Sequence, residues 1–307
     1  MATKRKIVFF VPAMVHVLDL TGPIQVFYEA NAYGADYELD YIALEPNPVS
    51  AAGLPFGQIT HFSEISLQEG DYLILPGAHM DYLRSESFKA HKEFFAWLRS
   101  LPGKGVLLCS VCTGAFILAE AGLLDNTRCT THWKRLEELQ LTYPNVITEQ
   151  NILYTNTDNK YTSAGITSGI DLSLAIIEEH YGPLVTHRVA RELVVYHRRS
   201  QNHSQKSVYL DYRNHINPGV HAAQDWLIEN LQQKTTVEKL AKQVNMSSRN
   251  LTRAFKQATG ITINEYMKKL RLEKAATLAN NPAYSSEYIA GQVGYADGRQ
   301  LRRIKKT

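Results

Sequence analysis

Over residues 1–200 the chain alternates short, β-rich apolar runs with helical patterns, and no other feature narrows its possible folds so far. The runs KIVFFV, YELDYIAL, DYLILPG and GVLLCS are the strand candidates, and a helical pattern after Gly22, the amphipathic EFFAWLRSL and the stretch TGAFILAEAGLL are the helix candidates. Apolar strands alternating with helices pair through crossover connections, so the pattern predicts a mostly parallel sheet with helices on both faces. Ligands in such sheets belong at the carboxyl ends of the strands.

At 307 residues, 44% hydrophobic and 21% charged, the chain has room for two domains and is neither disordered, collagenous nor coiled coil. Its three cysteines, Cys109, Cys112 and Cys129, match neither a disulfide framework nor a zinc pattern. A reducing cytoplasm is therefore the expected setting, with no metal and no cofactor. The basic Lys4-Arg5-Lys6 followed by IVFFVPAMVHVL has the outline of a secretion signal, but Pro12, His16 and Asp19 interrupt it, and it reads as a first buried strand. Gly105 to Leu124 contains Glu120 and a Cys-Thr-Gly, so it reads as strand, turn and buried helix, and no membrane partner is expected.

Charge divides the chain sharply. Residues 1–200 carry 16 Lys and Arg against 22 Asp and Glu, a net −6, whereas residues 201–307 carry 17 against 8, a net +9. That asymmetry is the mark of a polyanion-binding module attached to an acidic partner domain. The polar HRRSQNHSQKS, His197 to Ser207, lacks any apolar period and reads as a linker. The expected division is a first domain over 1–200, a linker over 201–213 and a second domain over 214–307.

At one predicted strand end, Ser110-Val111-Cys112-Thr113-Gly114-Ala115 passes without spacer from a Val- and Leu-rich run into a helix of small residues. This is the layout of a nucleophile elbow, whose sharp turn needs small neighbours and whose helix N-terminus favours a thiolate. Cys109, on the strand body, and Cys129 read as buried structural cysteines.

Leu18-Asp19-Leu20-Thr21-Gly22-Pro23, Leu75-Pro76-Gly77-Ala78, SVCTGAFILAEAGLL, Thr130-Thr131-His132-Trp133 and Ser168-Gly169-Ile170-Asp171-Leu172 together resemble the ThiJ/PfpI superfamily, also called class I glutamine amidotransferase-like, over about residues 5 to 195. The resemblance implies an α/β flavodoxin-like three-layer sandwich. It puts Cys112 at the elbow, Asp19 in the acidic position beside the thiol and His132 in the imidazole position. The candidate pocket, catalytic or effector-binding, is then Asp19, Gly77, Ala78, Cys112, Thr113 and His132. A carboxyl within reach of a thiol is more readily protonated than basic. Catalytic amidases of the family carry His directly after the cysteine, where this chain has Thr113, and Ala78 replaces a usual second glycine; sensing rather than hydrolysis is expected.

From Val220 onward the pattern becomes one of capped amphipathic helices, an all-α domain. VHAAQDWLIENL is the first. Thr235-Thr236-Val237-Glu238 opens TVEKLAKQV, Ser247 caps SRNLTRAFKQAT and Gly260 closes it. Two short helices about a tight turn are a helix-turn-helix unit, with Leu251, Ala254 and Phe255 inward and Arg249, Arg253 and Lys256 on the outer face. Thr262-Ile263-Asn264-Glu265 starts a long helix, after which Leu240-Ala241-x-x-Val244 recurs as Ile289-Ala290-x-x-Val293 and Leu251-x-Arg253 as Leu301-x-Arg303. The repeat predicts two helix-turn-helix units joined by a rod of about 16 residues, ~24 Å, able to meet successive major-groove segments.

That repeat, with Gly294-Tyr295 after Val293 and Gly260-Ile261-Thr262-x-x-x-Tyr266 followed by Arg271-Leu272, resembles the AraC/XylS family of transcription regulators over about residues 215 to 306. Joined to the amidotransferase-like domain it is similar to the GlxA-type branch, whose first domain is held to sense nitrogen-rich metabolites. The resemblance implies a DNA-binding regulator acting as a homodimer on double-stranded DNA, with an amino acid or quaternary amine as effector. Contacts to DNA are expected from Ser248, Arg249, Asn250, Arg253 and Lys256 in the first unit and from Arg299 and Arg303 in the second. Lys305 stands where an apolar aromatic is usual and the chain stops at Thr307, so the second unit is expected to bind the more weakly. The competing expectations are a Cys112-dependent amidase or hydratase, and a redox sensor with Cys109 as resolving thiol.

Overall fold

The computed structural model describes residues 4–150, 152–195, 208, 212, 213, 215–279, 281 and 284–305. The chain divides into two compact units, residues 1–205 and 206–307. This division falls inside the stretch 201–213 read as a linker; apart from Val208, Tyr212 and Arg213, that stretch lies outside the described residues.

The first unit is built on β1 (Arg5–Phe10), β2 (Tyr37–Ala43), β3 (Thr60–His61), β4 (Tyr72–Leu75) and β5 (Leu107–Val111), with β6 (Arg128–Cys129), β7 (Ile147–Thr148), β8 (Tyr154–Thr157) and β9 (Lys160–Ser163) following. Seven of them form one sheet in the order β3-β2-β1-β4-β5-β9-β8, while β6 and β7 pair separately. All pairings in the large sheet are parallel except the β8–β9 hairpin at one edge. Side chains alternate across the sheet: Val8, Phe10, Leu73, Leu75 and Leu108 enter one core, and Ile7, Phe9, Ile74, Cys109 and Val111 the other. Two buried faces explain why these strands are apolar at every position rather than at every second one. Cys109 and Cys129 are buried, as expected of structural cysteines.

The helices of this unit are α1 (Val17–Ala32), α2 (Met80–Arg84), α3 (Glu86–Lys89), α4 (Lys92–Ser100), α5 (Ala115–Glu120), α6 (Leu136–Thr142) and α7 (Ser168–Glu192, broken at Gly182). This is the predicted α/β sandwich, with one correction to its first helix. The sequence suggests that Thr21-Gly22-Pro23 opens the helix, yet α1 begins at Val17 and carries Pro23 inside it. Burial overrides the local breakers: Gly22 and Pro23 face inward, Gly22 against Ile170 of α7, and Thr21 Oγ1 donates to Val17 O at 2.9 Å. The earlier start matters because it puts Asp19 in the first turn of the helix, at the carboxyl end of the sheet.

The second unit is helical throughout its described residues: α8 (Pro218–Glu229), α9 (Val237–Gln243), α10 (Ser248–Thr259), α11 (Ile263–Ala279), α12 (Ser286–Gln292) and α13 (Gly298–Lys305). The caps of α10 and α11 lie where the sequence puts them, the cap of α9 falls on Thr236, one residue after the start of the expected Thr235–Glu238 box, and Ser285 caps α12 without having been expected. Thr236, Ser247 and Ser285 accept from the backbone N–H three residues on, Gly260 ends α10 with φ +78°, and Thr262 and Glu265 exchange the bonds of a capping box. Leu240, Leu251, Phe255, Tyr266 and Leu270 centre one core with Val220 and Leu227 of α8, and Ala275, Ile289, Ala290, Val293 and Leu301 form a smaller one. The two helix-turn-helix units share α11, which supplies both cores. No helix among the described residues is long and apolar enough to cross a membrane.

Candidate functional site

β5 ends on Val111 and is followed at once by Cys112, whose φ of +56° lies in the left-handed region, and a single 3-10 turn over Cys112–Gly114 leads into α5. A non-glycine residue held there stores strain, and it survives because its neighbours fix it. Thr131 Oγ1 donates to Cys112 O at 2.7 Å. Thr113 Oγ1 accepts from the Ala78 N–H at 3.0 Å and donates to Ala78 O at 2.8 Å, lacing the elbow to the loop after β4. His16 N–H donates to Gly77 O at 2.8 Å, which ties the start of α1 to the same loop. Parallel register sets Leu75 of β4 beside Ser110 of β5, so both loops leave the sheet together. Asp19, Gly77, Ala78, Cys112 and Thr113 therefore lie close together.

Asp19 is wholly buried; its Oδ2 lies 3.2 Å from His16 Nδ1, and its Oδ1 has no hydrogen-bond partner among the described residues. Donor atoms of His16, Asp19 and Cys112 all lie within 4.8 Å of one another. Those donor types suit zinc, but the His16–Asp19 hydrogen bond already accounts for the closeness of two of them. His16 is the member that sequence reading missed. Its signal was the His16-x-x-Asp19 spacing at a helix start, visible only once α1 is known to begin at Val17.

The expected thiolate is corrected by burial. Cys112 is 3% exposed, and desolvation together with the negative charge of Asp19 holds its thiol well above the ordinary cysteine range, outweighing the hydrogen bonds from Thr113 that favour the anion. The helix that follows has six residues and stands behind a 3-10 turn, which leaves little dipole at the sulfur. His132 is lowered by its own burial and stays neutral at pH 7. Its Nδ1 accepts from the Lys134 N–H at 3.4 Å, so the ring proton sits on Nε2, and no hydrogen bond joins His132 to Cys112 among the described residues. Of the residues expected in the pocket, Cys112, Thr113 and His132 line it, whereas the wholly buried Asp19, with Gly77 and Ala78, does not, so the trio is neither one pocket wall nor a proton relay.

The pocket measures about 180 Å³ and is lined by His16, His79, Cys112, His132, Lys134 and Arg135, with Met80 and Ile166 as its apolar part. Its imidazoles, ammonium and guanidinium offer donors and positive charge. His79 carried no warning in the sequence because only the fold brings its loop to the pocket, whereas Lys134 and Arg135 follow His132 directly, in the 3-10 turn over Trp133–Arg135, just beyond the motif that ends at Trp133.

On α10, Arg249, Asn250, Arg253 and Lys256 are exposed, while Leu251 and Phe255 are buried and Ser248 is half-buried. Arg253 Nη2 donates to Asn250 Oδ1 at 3.2 Å, linking two of the outward residues. Arg299 and Arg303 are likewise exposed on α13. The side chain of Lys305 lies outside the described residues.

A family model described as DJ-1/PfpI family matches residues 5–179, more than half of the chain. The chain belongs to the DJ-1/PfpI family. A second model, described as a helix-turn-helix domain, matches residues 240–307, so this DJ-1/PfpI protein carries a helix-turn-helix domain after its sandwich. It is 30% identical over 282 residues to the HTH-type transcriptional regulator CdhR of Pseudomonas aeruginosa, covering 91% of this chain and 81% of that protein. Isonitrile hydratase of Pseudomonas putida is 30% identical over 176 residues, 57% of this chain and 71% of the enzyme. The crystal structure of an AraC family transcriptional regulator from Pseudomonas putida superposes with a TM-score of 0.54 at 22% identity, covering 62% of this chain and 99% of that one, a likeness of fold.

Proposed function

We propose that the chain is a sequence-specific DNA-binding transcriptional regulator in which the DJ-1/PfpI-family domain senses a small metabolite. The observation that carries this reading is the outer face of α10, where Arg249, Arg253 and Lys256 are exposed on a helix fixed by a Ser247 cap and a buried Leu251 and Phe255. Guanidinium groups so placed fork onto guanine edges or phosphates. Ser248 and Asn250 complete the first contact set, and Arg299 and Arg303 the second. A cytoplasmic homodimer is the state that goes with this assignment. The test is electrophoretic mobility of the full chain on duplexes selected from a randomised library, read against salt: binding that weakens steeply with ionic strength is expected. A chain that selects no duplex at low salt would overturn the assignment.

The effector site is the pocket beside Cys112. Its lining of Lys134, Arg135 and imidazoles favours a ligand that presents a carboxylate, so an amino acid fits it better than a quaternary amine without an acidic group. Such a ligand alters DNA affinity only if it binds two states of the protein unequally. Calorimetry with candidate amino acids, followed by mobility shifts with and without them, tests this. Binding that leaves DNA affinity unchanged would break the coupling.

A second reading, a cysteine-dependent hydratase or amidase, draws on the strained Cys112 elbow and on the isonitrile hydratase relative. The neutral thiol and the His132 ring turned to Lys134 count against it. Cys112-dependent turnover of an isonitrile or amide by the purified chain would decide for it; retention of DNA binding in Cys112→Ser is expected on the regulator reading.

A further inference from the structure

The long helix α11 serves both helix-turn-helix units, and one residue at its middle touches both. Arg271 Nε donates to Leu231 O at 3.2 Å and its Nη2 donates to Gln233 O at 3.1 Å, just past the end of α8, the helix that covers the first unit. Its guanidinium carbon lies 5.4 Å from the ring centre of Tyr295, in the turn of the second unit. The backbone of that turn closes on the same spot. Gly294 has φ +75°, and a Cβ there would stand 2.7 Å from Leu231 O and 2.9 Å from Arg271 Nη2. Gln232 Nε2 donates across to Gln292 Oε1 at 2.7 Å. The repeat makes the contrast plain, since Asn245 holds the equivalent left-handed position of the first unit and glycine is not needed there.

We propose that Arg271 is a positioning residue for DNA recognition: it clamps the carbonyls after α8 and the Tyr295 turn together, so that α13 is presented at a fixed offset from α10. The proposal rests on the DNA-binding reading above. A planar guanidinium suits the task because it forks to two carbonyls while its face stacks on an aromatic ring, whereas an ammonium is a point donor. The part-buried Leu231 carbonyl past the helix end needs such a donor. The clamp predicts that the two recognition helices bind as a coupled pair, and that its removal uncouples them without disabling either.

The experiment uses the full chain and a duplex selected by the wild-type protein from a randomised library, with hydroxyl-radical footprinting of the bound complex. Wild-type protein is expected to protect two successive groove segments. Arg271→Gln is expected to keep the first segment and lose the second, with affinity for the full site falling about ten- to a hundredfold, the range for losing one or two well-made arginine contacts. Affinity for a duplex truncated to the first segment should stay unchanged, a result that general destabilisation would not give. Arg271→Lys should behave like the glutamine variant, because it keeps the charge and loses the fork; rescue by lysine would assign the effect to charge and overturn the clamp. Gly294→Ala strains the same junction from the other side and should give the same pattern if Arg271→Gln fails to fold. A folded Arg271→Gln or Gly294→Ala protein that protects both segments with wild-type affinity also overturns it. Wild-type protein that protects nothing overturns instead the DNA-binding reading beneath it.

Discussion

The elbow at Cys112 and the helix α10 lie at opposite ends of solvation. At the elbow a reactive side chain is 3% exposed, strained in its backbone and held protonated by burial. On α10 the arginines are exposed, the backbone is ordinary helix, and the charge is kept without cost because water solvates it. The difference separates two uses of polar chemistry. Burial makes a pocket selective by leaving few free donors and acceptors, and it withholds ionisation from a nucleophile. Exposure leaves charge free to meet a polyanion, and it tolerates substitution without disturbing the fold.

Breaking the elbow should have the largest effect. A Cβ at Gly114 would stand 2.0 Å from Leu75 O, a backbone atom of a central strand that cannot yield. Gly114→Ala is therefore expected to destabilise the first unit by more than about 3 kcal/mol, the range of severe overpacking, whereas Thr252→Ala on the exposed face of α10 should stay within about 0.5 kcal/mol. Thermal unfolding of both variants measures this. Equal stabilities would show that the elbow is no tighter than the surface helix.

The second effect belongs to α10. Arg253→Ala or Arg249→Ala should cost on the order of 1 to 3 kcal/mol of DNA affinity and relax base preference, with the unfolding midpoint unchanged. Arg303→Ala on α13 should cost less, since the core beneath it is smaller. Mobility shifts unaltered by the α10 substitutions would remove that helix from the interface. Third in size is the cap: Ser247→Ala withdraws the oxygen that accepts the Asn250 N–H at 3.3 Å and should cost about 1 kcal/mol of stability by urea unfolding. A loss near zero would mean that packing alone holds the start of α10.

The same contrast governs what could be read from the sequence. The boundaries of α10 were legible because each is set within a few residues: the Ser247 cap, the buried Leu251 and Phe255, and the Gly260 stop. The sheet was legible for a similar reason, since strands buried on both faces announce themselves as unbroken apolar runs. The pocket was legible only in part. Cys112 and Thr113 sit in one motif and Lys134 and Arg135 directly follow another, but His16 and His79 come from separate helix starts that no local pattern relates. The β8–β9 hairpin was missed because YTNT and KYTS are polar, short strands, the first at the sheet edge and the second beside it. The ionisation of Cys112 was not legible at all, because burial is a property of the assembled core.

The smallest expected effect carries the contrast into pH. His180 on α7 is half-buried between two phenols, with Nδ1 2.7 Å from the Tyr37 hydroxyl and Nε2 3.0 Å from the Tyr72 hydroxyl. A neutral ring accepts from one hydroxyl and donates to the other, whereas an imidazolium could only donate to both. Burial, with a smaller push from the Arg5 charge, lowers its pKa to about 4. In the unfolded chain the same ring titrates near ~6.5, so between those values the unfolded state binds more protons. Its contribution to stability is complete above about pH 6.5, declines as pH falls toward 4, and changes no further below that. Partial exposure screens the effect and keeps it small. Urea midpoints between pH 4 and 7 should therefore fall with acidity in the wild type, and fall less steeply in His180→Gln. Identical slopes in the two proteins would mean that other buried groups of the first unit carry its acid sensitivity.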